Sequence, residues 1–586
     1  MGQVIVRHLK PIAKTSAFLV LLGGISFSQG SRAQPADTLT IGIVKPLEAL
    51  HPLDAKTPED QWLVGIGMSP LFLRDETWSF SCVQCEKIPS IENGLATIKS
   101  EGRRQTLKAT WEISKEATWG DGTPVSAQDF RLAWEMAKSH PDSTDHNANT
   151  PHVMGYKAIA GFEFDAKNPR RFTVTYSESR HDFLNRGILY PIPSHVEGAI
   201  WKTSAGDWST YRIKTLYKTA GQTPGLYNGA YLPAADLNGR SHLYSRRSDK
   251  RRILNPALPS QMHIKPAPNT EALLNDLVAG NIDLIPEGVI DHLSLQKTSA
   301  LLKNDKVFNG KYRVTTAPGM KLELAAFNLR NPILIDRNIR WALAESIDRA
   351  TIAKSLFLSD CCASTNLANP RDRILLKSAF NFSLGGPDPK SAANRMIASG
   401  WKRGGDGFWE KDGRKLQIKI EFAKTVPGRE VLVNRLIQDW NRAGFLATSE
   451  AIAPEVFVSE TTRKARFASI ALYGMKLRPG EIPQSVLHSR EIPTLQNGYE
   501  GQNAMGWSSQ VVDSSLAALP WEHDEDSRQE LVDSIYKAFI NDLPLIPLYF
   551  YPVSAVAPLR LPGFVLTGHD YPSSTLIERW TQRPKN

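Results

Sequence analysis

The sequence predicts a mixed α/β protein of two or more domains, and three observations carry this prediction. The chain has 586 residues, 41% of them hydrophobic, and chains of this length usually divide into several domains. Residues 107–113 alternate apolar and polar side chains, as a half-buried strand does. Shortly afterwards, Phe130, Ala133, Trp134 and Ala137 fall on one stripe of a helix. Strand and helix therefore follow each other within a short stretch.

The first 33 residues predict export from the cytoplasm. Arg7, Lys10 and Lys14 supply positive charge, and residues 17–27 form an apolar stretch shorter than the roughly 20 residues of a membrane span. The small residues that follow end at Ala33, as a cleavage site does. We therefore expect a signal peptide over residues 1–33. No cysteine lies near the cleavage point, so we expect a free periplasmic protein without a lipid anchor.

Net charge and the lack of certain motifs limit the classes of partner that the mature chain is expected to bind. The formal net charge is +10, and residues 1–33 carry four Lys/Arg and no acid, which leaves about +6 for the mature chain. The basic residues accompany no nucleic-acid-binding motif, so no nucleic-acid partner is predicted. No cofactor and no metal site is predicted either.

The four cysteines form two close pairs, Cys82-x-x-Cys85 and Cys361-Cys362. In an oxidising periplasm we expect structural disulfides, although zinc remains an alternative. A bond between adjacent cysteines is strained, so the sequence favours a bridge from the second pair to another loop. The connectivity stays open at this point.

A strand, a turn and a capped helix are predicted between residues 107 and 139. Asp121-Gly122 supplies the tight reversal after the strand. Ser126, followed three residues later by Asp129, has the pattern of a capping box at the start of the helix.

The same residues resemble the signature of the family 5 extracellular solute-binding proteins, and four further segments follow in that family's order. Asn228 and Ala230 depart from the commonest residues of their segment. The five segments are Trp119-x-Asp121-Gly122-x-Pro124-x-x-Ala127-x-Asp129-Phe130, residues 225–231, residues 277–284, residues 327–349 and residues 542–549. In the fourth segment Ile339, Leu343 and Ile347 are spaced four residues apart, which predicts a buried helix face. We interpret the motifs as scaffold, because such turns and apolar stripes identify a fold without identifying a ligand.

The resemblance implies an α/β, two-lobed periplasmic-binding-protein fold of type II, with a discontinuous lobe I and a hinge. Lobe I would comprise residues 34–286, with an additional subdomain at about 76–180, and a C-terminal return at 548–586. Lobe II would comprise residues 287–547. The hinge strands would lie near 283–287 and 546–551. The resemblance further implies a monomer that binds a small peptide or peptide-like ligand and delivers it to an ABC permease at the inner membrane.

One departure from the family pattern bears on the ligand. Peptide-binding members carry an aspartate of lobe II that pairs with the peptide's α-amino group, and the matching segment here, residues 474–483, places Arg478 at that position. An arginine repels an ammonium group and suits a carboxylate or phosphate. The ligand is therefore predicted to be N-blocked, anionic or a conjugate such as a cell-wall peptide fragment. Alternatively, the alignment shifts by a few residues and Glu481 takes the role of the acid.

Four further ligand contacts are predicted from position. Lys56 and Thr57 lie on an early loop that in relatives follows the ligand backbone. Asn503 and Trp507 resemble a cleft-facing loop, in which Asn503 would donate an amide hydrogen bond and Trp507 would form a flat wall. A purely structural role is the alternative for each.

Other classes of function remain as alternatives. The sequence contains no Gly-x-Ser-x-Gly, His-Glu-x-x-His or Walker motif, and Ser294-x-x-Lys297 lacks the partner motifs of a penicillin-recognising enzyme. The chain is therefore predicted to be a binding protein and not an enzyme. A periplasmic chaperone or sensor on the same fold is the main alternative, and a hydrolase is the weaker one.

Overall fold

The computed structural model describes most of the chain after the predicted signal peptide. The described residues are 37–44, 50–101, 104–143, 151–219, 222–236, 242–248, 257–290, 310–357, 359, 361–426 and 428–581. The predicted signal peptide at 1–33 lies outside this part. Within it, none of the helices combines the length and the apolar character that a bilayer span requires.

Helices and strands alternate over this part of the chain. The strands are β1 Thr38–Ile43, β2 Phe72–Arg74, β3 Phe80–Cys82, β4 Ala96–Glu101, β5 Arg104–Glu112, β6 Ile159–Phe164, β7 Arg171–Tyr176, β8 Tyr231–Asp236, β9 His242–Arg246, β10 Gln261–Pro266, β11 Tyr312–Phe327, β12 Lys402–Arg403, β13 Trp409–Lys411, β14 Arg414–Lys415, β15 Gln417–Ala423, β16 Leu446–Ile452, β17 Ile470–Lys476 and β18 Leu545–Pro558. The helices are α1 Pro58–Gly67, α2 Ala127–Ser139, α3 Pro151–Lys157, α4 Ser194–Thr203, α5 Trp208–Lys214, α6 Leu216–Thr219, α7 Thr270–Val278, α8 Arg337–Glu345, α9 Arg349–Phe357, α10 Arg373–Asn381, α11 Pro389–Ala398, α12 Arg429–Arg442, α13 Pro454–Val456, α14 Gln484–Leu487, α15 Gln510–Ala518 and α16 Glu525–Asp542.

Three larger sheets organise these strands. One has the order β1-β10-β9-β8, a second β4-β5-β7-β6 and a third β16-β15-β17-β11-β18. β1 pairs in parallel with β10, and β15 pairs in parallel with β16 and β17, while the other pairs in these sheets are antiparallel. Mixed sheets covered by helices confirm the predicted α/β class.

The predicted strand, turn and capped helix are all present. β5 covers the alternating stretch, and α2 begins after Ser126 with both hydrogen bonds of the capping box formed to Asp129. Asp336 caps α8 by accepting a hydrogen bond from the Asn338 N–H, 2.9 Å away. The helix stripe predicted to be buried, with Ile339 and Leu343, is buried.

The turns of the first two family-like segments are held by buried hydrogen bonds. Asp129 accepts from the indole N–H of Trp119 at 3.1 Å and from both the N–H and the hydroxyl of Ser194 at 2.8 and 2.6 Å. Asn228 binds the backbone of Ser69 in both directions, at 2.9 and 3.0 Å. The polar groups of these side chains already have hydrogen-bond partners inside the protein, which agrees with the scaffold interpretation.

β11 and β18 form one long antiparallel ladder that takes part in two different cores. Ala317 and Ala555 pack in a core with the N-terminal strand and the C-terminal segment, whereas Ala325 and Ile546 pack in a core with α8 and α12. The ladder is interrupted between Pro318 and Leu322. The predicted domain boundaries near 286 and 547 stay predictions.

The cysteines pair within each close pair. Cys82 is bonded to Cys85, and Cys361 is bonded to its neighbour Cys362. The expectation that the second pair bridges to another loop is wrong. The other two cysteines are joined to each other at the end of the β2–β3 hairpin, so they are not available to the second pair. Cys362 is held beside β18, where its carbonyl accepts a hydrogen bond from the Phe550 N–H at 2.7 Å.

Candidate functional site

A cavity of about 650 Å³ lies between two walls that belong to different cores. The first wall contains residues 154–158, 180–187 and 570–571, which pack against the core around β5 and α2. The second wall contains residues 374–375, 476–484 and 516–532, which pack against the core around α10, α15 and α16. Its volume falls within the range of roughly 300–1,000 Å³ typical of small-molecule sites.

A tight loop after β17 places Arg478 and Glu481 in the cavity. Gly480 adopts a positive φ of 72°, and its N–H donates to Asp372 over 2.6 Å. The N–H of Arg478 donates to the Glu481 carboxylate at 3.2 Å, and the N–H of Glu481 donates back to the Arg478 carbonyl at 3.0 Å. The loop is therefore fixed by its own hydrogen bonds and by the residue that caps α10.

The first wall presents an ion pair and a neutral histidine. Both nitrogens of the Arg180 fork donate to the Asp182 carboxylate at 2.8 Å. Burial alone would raise the pKa of Asp182, but the hydrogen bonds and the charge of Arg180 outweigh it, so this pKa lies below its usual value. Burial, assisted by the charge of Arg528, lowers the pKa of His181 to about 4, so His181 is neutral at pH 7.

The two walls touch each other directly at the rim of the cavity. Arg74 and Asn185 both donate to the Pro479 carbonyl, each at 3.4 Å. The N–H of His181 donates to the Pro520 carbonyl at 2.9 Å. A further link joins Lys476 of the second wall to Asp570 of the first at 2.5 Å. The walls are therefore in contact in this structure.

Basic groups outnumber acidic groups in the lining. The basic residues are Lys157, Arg180, Arg186, Lys476, Arg478 and Arg528, and the acidic residues are Asp182, Glu481 and Asp570. Two of the acids are taken by ion pairs across or within the walls. Burial, assisted by the charges of Asp570 and Asp182, raises the pKa of Glu481, although Arg478 acts in the opposite direction. The cavity therefore has an excess of positive charge.

Apolar side chains of the second wall form a continuous part of the lining, which we call the apolar wall. α10, α15 and α16 pack on one another behind it. Its members are Ile374, Leu375, Ile482, Leu516, Leu519 and Val532. The described lining residues include no serine, threonine or cysteine.

Of the six predicted ligand contacts, the structure brings two together in the cavity. Arg478 and Glu481 both line it, from the same loop. Both the alignment that favours Arg478 and the alternative that favours Glu481 therefore lead to the same place, and which of them contacts a ligand stays a prediction.

The structure gives the other four predicted residues partners elsewhere. Asn503 is fully buried and donates to the carbonyls of His488 and Trp507 at 3.1 and 2.8 Å. The buried Trp507 donates its indole N–H to Asp542 at 3.0 Å. Thr57 caps α1, and the half-exposed Lys56 pairs with Asp142 at 3.1 Å. None of the four lines the described cavity, and their ligand contacts stay predictions.

Several lining residues had no signal in the sequence. Arg180, Asp182 and Asn185 follow β7, whereas Arg528 lies in α16 and Tyr571 follows β18. These segments are separated by hundreds of residues, and no motif or spacing joins them. Their meeting point could therefore not be predicted from the sequence.

Comparison with known proteins places the chain in a family. The profile of the bacterial extracellular solute-binding proteins, family 5, matches residues 90–486, which is more than half of the chain. The chain belongs to this family. Family 5 proteins are described as extracellular, and they are binding proteins rather than enzymes.

Individual relatives are distant. The family 5 chain is 22% identical to the oligopeptide-binding protein OppA of Lactococcus lactis subsp. cremoris over 412 residues, which cover 65% of this chain and 62% of that protein. It thus spans less than two thirds of that relative's length. It is 26% identical over 500 residues to the probable deoxycholate-binding periplasmic protein YgiS of Escherichia coli, covering 81% and 85% of the two chains.

A solved structure confirms the fold. The murein tripeptide binding protein MppA, in its unliganded open form, superposes with a TM-score of 0.66 at 16% identity, covering 94% of this chain and 98% of that one. At this identity the likeness concerns the fold alone. It confirms the predicted two-lobed α/β fold of the family 5 type.

Proposed function

We propose that this family 5 protein is the periplasmic substrate-binding component of an ABC importer. It captures a peptide or peptide-like ligand between two lobes and delivers it, as a monomer, to a permease at the inner membrane. The predicted signal peptide supports the location, and family membership supports the role in uptake. The protein performs no chemistry on its ligand in this proposal.

The observation that carries the proposal is a cavity built jointly by two cores. Its walls already share direct contacts, from Asn185 to Pro479 and from His181 to Pro520. A ligand between the walls adds contacts to both sides at once, and these exist only when the walls are together. Binding therefore stabilises the closed arrangement of the two walls. A permease can distinguish this ligand-bound form from the open, empty one.

The charges of the cavity support a ligand without a free α-amino group. Arg478 and the excess of basic groups would repel an ammonium group, and they attract a carboxylate or phosphate. An N-blocked or anionic peptide, such as a cell-wall peptide fragment, satisfies this chemistry. Relatives named for oligopeptides, for a murein tripeptide and for deoxycholate show that proteins similar to this one accept varied ligands.

The alternatives differ in what they bind. A periplasmic chaperone on this fold would bind unfolded chains and would not be saturated by a small molecule. A sensor would bind a small molecule but would act through a receptor instead of a permease. A hydrolase, the weaker alternative, would release a product that differs from the added ligand.

Native mass spectrometry of the purified mature protein tests the proposal. Any bound molecule is released by denaturation, identified, and returned to the protein in a titration. We expect a small peptide-like molecule at a ratio of one per chain, recovered chemically unchanged. Saturation only by unfolded proteins would favour the chaperone, and a cleaved molecule would favour the hydrolase. A bound peptide with a free α-amino group would contradict the role of Arg478 while leaving uptake intact.

A further inference from the structure

Arg528 is a cation placed at an unfavourable point of its helix. It is the fourth residue of α16, close to the helix end at which the dipole favours anions over cations. Burial lowers the pKa of Arg528, although the charges of Glu525 and Glu92 act in the opposite direction. Within the part of the chain that the structure describes, no carboxylate lies within 4.0 Å of its guanidinium. Neither the helix nor an ion pair accounts for a cation at this position.

The helix position of Arg528 brings it next to the apolar wall. Val532 lies four residues further along α16 and therefore on the same face of the helix. Both residues line the cavity, and Leu516 and Leu519 continue the lining from the adjoining end of α15. Leu519 and Ile374 are only partly buried, so their side chains remain available to a ligand.

We infer that the ligand is an amphipathic anion, whose acidic group pairs with Arg528 and whose apolar part lies on the apolar wall. This inference rests on the proposed function and names the ligand class for the same cavity. The acid supplies the partner that Arg528 lacks, and the apolar part removes Leu519 and its neighbours from water. An acylated peptide acid has this chemistry, whereas a short polar peptide leaves the apolar wall exposed to water.

Each part of this ligand contributes separately to affinity. Pairing a partly desolvated arginine with a carboxylate gives charge-assisted hydrogen bonds, which are about twice as strong as neutral ones. Burying apolar surface contributes in proportion to the area removed from water. The two contributions come from different residues, so they can be removed one at a time.

The test titrates four probes built on one dipeptide, Ala-Ala. The probes carry either an N-acetyl or an N-decanoyl group, and end either in a free acid or in an amide. They are titrated calorimetrically into the mature protein, with the decanoyl probes kept below the concentration at which they form micelles. The variants are Arg528→Gln and Leu519→Asn, and Lys537→Gln is the control because this exposed cation lies on the same helix outside the cavity lining. Circular dichroism and Tm establish that each variant is folded.

We expect the decanoyl acid to bind at least about tenfold tighter than both the acetyl acid and the decanoyl amide. Arg528→Gln should reduce the preference for acid over amide, Leu519→Asn should reduce the preference for decanoyl over acetyl, and Lys537→Gln should change neither. Equal binding of acetyl and decanoyl acids, or an acid preference as large in Arg528→Gln as in the unchanged protein, would overturn the inference.

The outcomes separate this inference from the proposed function. If unmodified free-amine peptides bind and the decanoyl acid gains nothing, the ligand class is wrong and uptake of peptides stands. If none of the four probes binds and no peptide binds either, both proposals fail together.

Discussion

Two regions of the molecule treat their charged side chains in opposite ways. At the junction between β5 and α2, Asp129 is buried and accepts hydrogen bonds from Trp119, Ser126 and Ser194. In the cavity, Arg478 is exposed to the open space and only its backbone is fixed by the loop. The first region uses its charge to hold the chain in place, and the second leaves a charge available. One of the five family motifs lies in the first region, and none of the five contributes a residue to the described cavity lining, so the motifs identify the fold and not the ligand.

The strongest way to test this contrast is Asp129→Ala. The change leaves several buried donors without an acceptor, and we expect the free energy of unfolding to fall by roughly 3–5 kcal/mol. Urea unfolding measures this loss. Glu135→Ala on the same helix is the control, because its ion pair with Arg131 is largely exposed and should matter by less than about 1 kcal/mol. Equal losses for both variants would contradict the scaffold role.

Arg74→Met tests the contact between the two walls of the cavity. Arg74 is buried, its guanidinium lies 3.9 Å from the centre of the Phe80 ring, and it donates to Asn185 and to the Pro479 carbonyl. Burial lowers the pKa of Arg74 to about 10, so it is charged at pH 7. We expect a loss of about 2–3 kcal/mol in unfolding free energy together with weaker ligand binding. Small-angle scattering would then show a larger radius of gyration without ligand, and an unchanged radius would argue against a role in closure.

Arg478→Ala should change ligand affinity strongly and stability very little. Because the guanidinium is exposed, we expect the unfolding free energy to change by less than about 0.5 kcal/mol. Affinity for an anionic ligand should fall by about tenfold, which corresponds to about 1.4 kcal/mol. Calorimetry measures the affinity, and Lys377→Ala, an exposed cation outside the cavity lining, is the matched control. A large stability loss without a change in affinity would place Arg478 in the scaffold after all.

The smallest expected effect concerns the pH dependence of Glu481. Its pKa is raised in the folded protein, so the folded state holds the proton more tightly than the unfolded state does. The charged carboxylate therefore destabilises the fold above the raised pKa, and this cost disappears below the usual pKa of a glutamate. Glu481→Gln should raise Tm slightly at pH 7 and leave it unchanged at pH 4. Glu500→Gln, at an exposed loop, is the control, and a Tm gain at pH 4 as large as that at pH 7 would refute the linkage.

The sequence predicted those parts of the fold whose signals are local. The capping box of Ser126 and Asp129 and the buried stripe of α8 need only a few neighbouring residues, and both were correct. β11 was not foreseen, because Pro318 and Gly319 resemble a strand break although the strand continues past them. The pairing of Cys361 with Cys362 was also missed, because sequence does not show which sulfurs are within reach.

The site was harder to predict than the fold for a physical reason. Arg478 and Glu481 were found because they occupy a segment that resembles a family pattern. Arg528 and Asn185 lie far apart in the chain, and they meet only after two cores have formed and come together. Asn503 and Trp507 have polar groups that suit a ligand equally well and a buried loop equally well, and only the coordinates show their internal partners.

The β11–β18 ladder has a consequence for how the protein is made. The C-terminal strand completes the core that holds Leu39 and also the core that holds Ile546, and Trp580 packs 5.7 Å from Trp62 in the first of these. A ribosome synthesises β18 long after β1, so both cores lack one of their strands until the chain has been made as far as Pro558. Long-range pairing of this kind forms slowly. Until that pairing forms, the apolar faces of the two cores stay exposed to water.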